Sequence, residues 1–292
     1  MNRPRWKHLL MESGLCLDRV NVLRWVLARP RRRMLFFRFF RLRFSPAILL
    51  DAMRLPAEED RAAIFSLAMS YINIRDTYKT TSGQRNTLAD AEILELAAKR
   101  GKRLMEVGVS DGSSAQTLLQ NRHLFSEILL TDRYNVFRYR NIPLGKVFLD
   151  SHNRLLGIKF LCFYLSVPSD TPHPPDGLQQ IETLNPFLSE APQQGGIRAF
   201  DIRNDRLEHP VDVIKCANIL NLSYFTREQI LGILSNLGNS LSEGGALVIS
   251  QNNEKYTDGE AIVVLQKTEA GFRPVKNINN HDLWPLLGEE MQ

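Results

Sequence analysis

At the junction of an apolar run and a helical stretch the chain reads Glu106-Val-Gly108-Val-Ser110-Asp-Gly112-Ser. Glycines at such a junction let the backbone approach a ligand at the open end of a sheet, because no Cβ holds it off. A dinucleotide fingerprint starting at Gly108 would need glycine where Ser110 and Ser113 stand, so pyrophosphate binding is disfavoured. Asp132 closes the next apolar run, twenty residues after Gly112. A carboxylate there can accept hydrogen bonds from both hydroxyls of a ribose. An adenosine-containing ligand without a pyrophosphate fits this spacing. Tyr224 and Phe225 are candidates for the wall of an acceptor pocket, with core packing as the other reading. None of the histidines His152, His173, His209 and His281 shows triad spacing, and Cys16, Cys162 and Cys216 form no C-x-x-C pair, so no metal site is expected.

The elements that must position these residues alternate between strand and helix. Arg103 to Ser110 predicts a buried strand, Ala115 to Leu124 a helix, and Glu127 to Asp132, Gly196 to Asp201 and Val211 to Leu220 further strands. Thr226 to Leu241 has helical spacing, Gly244-Gly245 ends it, and Ala246 to Ser250 is another strand. Glu260 to Lys267 and Gly271 to Asn277 predict an antiparallel hairpin. The fold class is α/β, a Rossmann-like doubly wound sheet with a C-terminal antiparallel hairpin. More chain lies between Arg133 and Gly195 than a crossover needs, which predicts an insertion at about 135–177. Within it Lys146 to Asp150 and Leu155 to Val167 read as a β-hairpin, apolar on both faces, with Leu161, Phe163 and Leu165 on one face and Phe160, Cys162 and Tyr164 on the other. Leu178, Ile181, Leu184 and Leu188 have the spacing of a crossover helix interrupted near Pro186.

Upstream, residues 51–98 read as a helical N-terminal region, with helices at Arg61 to Ile74 and Ala89 to Ala98 on either side of the polar segment Arg75 to Asn86. Thr87 or Asp90 could cap the second helix and Gly101 end it. Residues 1–50 form a basic amphipathic arm that carries +10, whereas the rest of the chain carries −5. Leu15, Val22, Leu23, Val26 and Leu27 share one side of a helix ended at Arg29-Pro30, and Met34 to Arg43 continues with arginines beside a wide apolar side of phenylalanines. Contact with an anionic membrane surface, binding of nucleic acid or an acidic partner, and packing of the phenylalanines on the main body are the open alternatives. Glu12, Asp18 and Arg19 fall where the apolar centre of a leader starting at Met1 would lie, and no run is long enough to span a bilayer. With three scattered cysteines a cytoplasmic protein is expected, and the membrane alternative for the arm would make it a peripheral membrane protein.

The strand series, glycine loop and acidic strand end over roughly Lys99 to Asn277 resemble the class I S-adenosylmethionine-dependent methyltransferases, which would make 99–292 the methyltransferase domain. Ile214-Lys-Cys-Ala-Asn218, followed by Tyr224-Phe225 and Leu241-Ser-Glu-Gly-Gly-Ala-Leu-Val-Ile249, looks most like the chemotaxis-receptor members. Ala217 stands where those have Arg, and no peptide-tethering insertion fits between Lys267 and Gly271, which points away from receptor carboxylates. The resemblance implies S-adenosylmethionine as cofactor. It places Glu106, Gly108, Ser110 and Gly112 around the methionine part, Asp132 at the ribose, Asp201 and Ile202 beside the adenine, and Asn218 near the reactive methyl. The activity it implies is methyl transfer to an O or N atom of a small-molecule or lipid-like acceptor. A non-catalytic binder or scaffold and an RNA methyltransferase recruited by the arm are the competing readings.

Overall fold

Strand formation follows from β-branched and aliphatic runs, and in a computed structural model these runs join into two large sheets, one of six strands and one of seven. The structure describes residues 13–56, 60–74, 77–78, 85–98, 101–188 and 196–290. Met1 to Glu12, with the basic start and Glu12 of the leader reading, and most of the polar segment from Arg75 lie outside the described residues. The chain divides into two compact units. One combines Met1–Thr81 with Tyr134–Ser189, and the other combines Ser82–Arg133 with Glu190–Gln292.

The first unit begins with strand β1 (Gly14–Leu15) and the helix Val20–Leu27, whose Val20, Leu23 and Val26 are buried at helical spacing. Asp51 accepts the Val20 N–H at 2.9 Å, which caps a helix whose own N-cap residue, Arg19, offers no acceptor. Pro30 opens a short helix, Pro30–Met34, and a π-turn spans Leu35–Phe39. Helices Ala47–Ala52 and Arg61–Ser70 follow, the second capped by Asp60, then a small ladder of β2 (Asn73–Ile74) with β3 (Thr77–Tyr78).

The second unit contributes the helix Thr87–Ala97, β4 (Lys102–Val107), the helix Gln116–Gln120 and β5 (Phe125–Asp132) before the chain returns to the first. There β6 (Val136–Ile142), β7 (Gly145–Leu149), β8 (Leu155–Phe160), β9 (Phe163–Ser166) and β10 (Gln179–Glu182) complete an antiparallel sheet in the order β1-β9-β8-β7-β6-β10. Its inner face, with Phe137, Tyr139, Phe148, Tyr164 and Ile181, packs in one cluster with the apolar sides of the helices.

Two expectations are corrected here. Gln179–Glu182 is a strand, not a crossover helix: it pairs with β6, and only Ile181 of the four points fully inward. The three-residue spacing of Leu178, Ile181 and Leu184 had imitated a helix over a stretch too short to tell the periods apart. Leu155 to Val167 is likewise not one strand. A turn at Leu161-Cys162, with Leu161 at φ 51°, splits it, and Phe160 then pairs directly with Phe163, so the two rings share a face.

The second unit resumes with β11 (Arg198–Ala199), β12 (Val211–Ala217), the helix Arg227–Gly238, β13 (Leu241–Asn252), β14 (Glu260–Thr268), β15 (Gly271–Ile278) and the helix Trp284–Glu290. Its sheet runs β11-β5-β4-β12-β13-β14-β15, parallel through β13 and antiparallel thereafter, with the expected C-terminal hairpin. Met105, Ile214 and Leu247 meet the helix Arg227–Gly238 on one face, and Leu104, Val213 and Val248 meet the helix Thr87–Ala97 on the other. Helix is therefore present on both faces, as double winding requires. Thr226 and Gln229 form a reciprocal capping box at the start of Arg227–Gly238.

Candidate ligand site at the sheet switch point

From β4 the chain passes outward to β5 on one side, whereas β12 lies on the other. The order thus reverses at β4, which makes the carboxyl ends of β4 and β12 a topological switch point, the position at which open α/β sheets receive ligands. The glycine loop leaves β4 at this point. Gly108 at φ 69°, Ser110 at φ 59° and Gly112 at φ 85° all take left-handed conformations, and only Ser110 pays the side-chain penalty. Gly108 is exposed, and a Cβ there would stand 2.2 Å from Ile219 Cδ1, so a side chain could not be added without moving Ile219.

Asp132, at the end of β5, is buried against this loop, and its Oδ2 accepts the Ser110 N–H at 2.9 Å. Asp111 is fully buried and turns back to accept from the Ser113 N–H and hydroxyl. Thr131 Oγ1 donates to the Glu106 carbonyl at 2.9 Å, joining β5 to β4 just below the switch point. Gly108, Ser110, Gly112 and Asp132 are therefore brought together.

Asn218 ends β12 at φ 60°, on the same edge. Its side chain is held by its own neighbours: Nδ2 donates to Asn252 at 2.7 Å and Asn86 at 3.2 Å, and Oδ1 accepts the Asn252 N–H at 2.7 Å. Asp201 follows β11, where it pairs with Arg133 and Arg203 and accepts the Arg203 N–H, organising the turn 201–205. Ile202 is buried with Phe200 in the core beside the helix Arg227–Gly238. Tyr224 sits on an exposed turn, its N–H bonded to the Asn221 carbonyl, and is 70% exposed. A cleft of about 520 Å³ runs along β11 and the turn after it, past Phe200, Asn204, Asp205 and Arg206, and the glycine loop contributes nothing to its lining.

Glu106 does not face the switch point openly. It is buried on the sheet face covered by the helix Thr87–Ala97, where Oε1 meets the Lys215 ammonium at 3.1 Å and accepts from the Ser114 hydroxyl at 2.8 Å. Its Oε2 is buried without a hydrogen-bond partner. Lys215, fully buried on β12, also meets Asp90 Oδ1 at 2.7 Å and donates to the Ser114 carbonyl at 3.1 Å. Burial opposes the charge on Lys215, but Glu106 and Asp90 outweigh it and hold its pKa above the ordinary value. Asp90 is pushed up to about 6 by burial, against the pull of Lys215 and helped by Glu106. Glu260, raised by burial, accepts the N–H groups of Leu88 and Ala89 and so caps the helix that carries Asp90.

Sequence reasoning missed Lys215, Glu260 and Asn252. A signal for the first existed: Lys215 alternates with Val213, as Glu106 does with Leu104, so both charges had to share one buried face. Cys216 looks to the opposite face, where burial raises its pKa to about 12, which suits a core thiol. Among the described residues no three His, Cys, Asp or Glu side chains gather as a metal-ligand set.

No protein-family profile and no curated protein sequence matches the chain. Solved structures with a similar course do exist. An S-adenosylmethionine-dependent methyltransferase from Clostridium acetobutylicum is 11% identical, with 70% of this chain and 77% of that one covered and a TM-score of 0.34. An amino pentose methyltransferase from Micromonospora echinaspora is 13% identical over 69% and 78%, with a TM-score of 0.31. The magnesium protoporphyrin IX methyltransferase of Synechocystis PCC 6803 is 13% identical over 80% and 88%, also at 0.31. Likeness at this level carries neither activity nor substrate to this chain.

Proposed function

We propose that the chain is an S-adenosylmethionine-dependent methyltransferase acting on an O or N atom of a small-molecule or lipid-like acceptor. The observation that carries this reading is the meeting of the glycine loop and the Asp132 carboxylate at the switch point of the parallel sheet. On this proposal the loop of Gly108, Ser110 and Gly112 lies against the methionine part and the Asp132 carboxylate takes the ribose hydroxyls, while the Ser110 and Gly112 N–H groups hold the loop itself through Asp132 and the Val109 carbonyl. A Cβ at Gly108 would run into Ile219, so the loop keeps this course against the neighbouring strand end only with glycine there. In this reading Asp201 and Ile202 lie towards the adenine and Asn218 and Tyr224 towards the acceptor. The fourth-strand likeness to receptor methyltransferases adds no substrate.

When bound, the cofactor would supply a methyl on a sulfonium: transfer to an acceptor lone pair would break the S–CH3 bond, its electron pair staying on sulfur, and any proton on the acceptor N or O would leave to solvent. The protein's share is positioning and exclusion of water. Asp132 fixes one end of the ligand, and the Asn218–Asn252–Asn86 network keeps the end of β12 rigid. Transfer of labelled methyl to a panel of amino sugars, phenols and lipid headgroups tests the activity. A labelled product absent in Gly108→Val is the expected result, and turnover unaffected by that change would contradict the site.

A second reading is favoured by one observation. Lys215 places the protein's own ammonium against Glu106, and Asn218 spends its amide internally. Both are features of a protein that binds the cofactor, or keeps only its fold, without turnover. Cofactor binding with no labelled product from any acceptor would select it.

A further inference from the structure

The first unit exposes a surface unlike the rest of its body. Residues 23–43 consist solely of arginines and apolar side chains, and residues 19–50 contain no Asp or Glu. The π-turn divides the phenylalanines of this stretch. Phe36 meets Trp25 edge-on and Phe37 stacks on Tyr71 at 5.3 Å, both partly buried against the core. Phe39 and Phe40 turn outward, with Met34 and Leu35 beside them, and Phe39 is 76% exposed. Arg29, Arg31, Arg33 and Arg38 are exposed among them, and Arg32 lies over the exposed Trp25 ring at 4.2 Å.

We propose that residues 24–41 are a docking surface for an anionic lipid bilayer, with the arginines at the headgroups and Met34, Leu35, Phe39 and Phe40 entering the acyl boundary. Charge complementarity identifies the occupant. A second copy of the chain would set arginine against arginine, whereas anionic headgroups gain about 1 kcal/mol per arginine, roughly a fivefold change in affinity. A nucleic acid would satisfy the arginines, but the stretch offers no Asn, Gln, Ser, Thr, Asp or Glu to a base edge. It would also leave the methionine, leucine and phenylalanines in water, whereas a bilayer takes both kinds of side chain.

The fold supports the same partner at an adjoining position. Backbone bonds from Arg43 to Leu15 and from Cys16 to Cys162 tie the end of this stretch to the edge of the antiparallel sheet. There Leu144, Phe160, Leu161, Phe163 and Leu165 are exposed on the turns and outer face of β7 to β9. The inference rests on the first unit alone and stands apart from the methyl-transfer reading.

Co-sedimentation of the full chain with phosphatidylcholine vesicles, with and without a quarter phosphatidylserine, tests it. Wild type should bind the anionic vesicles at least about tenfold more tightly than the neutral ones. Phe39→Ser/Phe40→Ser should lose about tenfold on anionic vesicles, with its melting temperature and circular dichroism unchanged because both side chains are exposed. Arg31→Gln/Arg33→Gln/Arg38→Gln should lose more at low salt. Equal binding to neutral vesicles, no binding at 50 mM salt, or retention by the phenylalanine variant would overturn the proposal. Displacement from vesicles by a single-stranded RNA, with RNA affinity lost only in the arginine variant, would overturn it in favour of nucleic acid.

Discussion

Lys215 stands in a strand that otherwise reads as apolar, and its ammonium is held there by two carboxylates and a carbonyl. Removing one partner of such a buried cluster leaves the others charged and unsolvated, a cost of about 3–5 kcal/mol. Lys215→Met should therefore lower the melting temperature steeply, and a near-neutral effect in thermal unfolding would show that the cluster is dispensable. Asp90 adds a pH dependence. Its folded pKa, about 6, lies above its ordinary value of 3.8, so the folded protein holds a proton that the unfolded chain releases. The stability it contributes is complete below about pH 4 and is lost as pH rises through 6. His281 works in the opposite sense. Burial lowers its pKa to about 4 from 6.5, so its contribution is present above 6.5 and lost as pH falls towards 4. Melting curves of wild type and Asp90→Asn from pH 4 to 7 separate the two. The advantage of wild type over the variant should shrink as pH rises through 6, and a constant difference would contradict the assignment of that proton to Asp90.

At the scale of elements, what was legible depended on whether the signal was local. The Arg227–Gly238 helix announced itself through the spacing of Ile230, Ile233, Leu234 and Leu237, and the structure adds a capping box of Thr226 and Gln229 at its start. Thr226→Ala should cost about 1 kcal/mol. Chemical denaturation would check it, and no change would mean that burial of Ile230, Ile233 and Leu237 holds the helix start unaided. The strands β4, β5, β12 and β14 were likewise readable as apolar-rich runs, and β15 as the second arm of a hairpin after a short turn. The cap of the Thr87–Ala97 helix was not, because Glu260 reaches it from a strand far along the chain. Nor was the turn at Leu161-Cys162, which has no glycine, proline or asparagine to mark it and depends on a strained Leu161. Of the site, the glycine loop and Asp132 were visible as letters and spacing. The burial of Glu106 against Lys215 was not, because it depends on which face each strand turns to the helix.

Over the whole molecule, the basic arm is not an appendage. Cys16, Val20, Leu23, Val26, Ile48 and Leu49 share one core with the insertion strands, so the described part of the arm packs in one unit with them. The second unit has its own sheet with helix on both faces, and the switch point lies within it. The proposed binding of an adenosylated amino acid through Asp132 therefore belongs to the second unit. Calorimetric titration of S-adenosylmethionine and S-adenosylhomocysteine into the full chain, beside Asp132→Ala and Asp132→Asn, tests it most directly. Binding by wild type, weakened by roughly 30-fold or more in Asp132→Ala and less in Asp132→Asn, with both variants folded by circular dichroism, is the expected result. No heat of binding from folded wild type, or equal affinity in all three proteins, would contradict it.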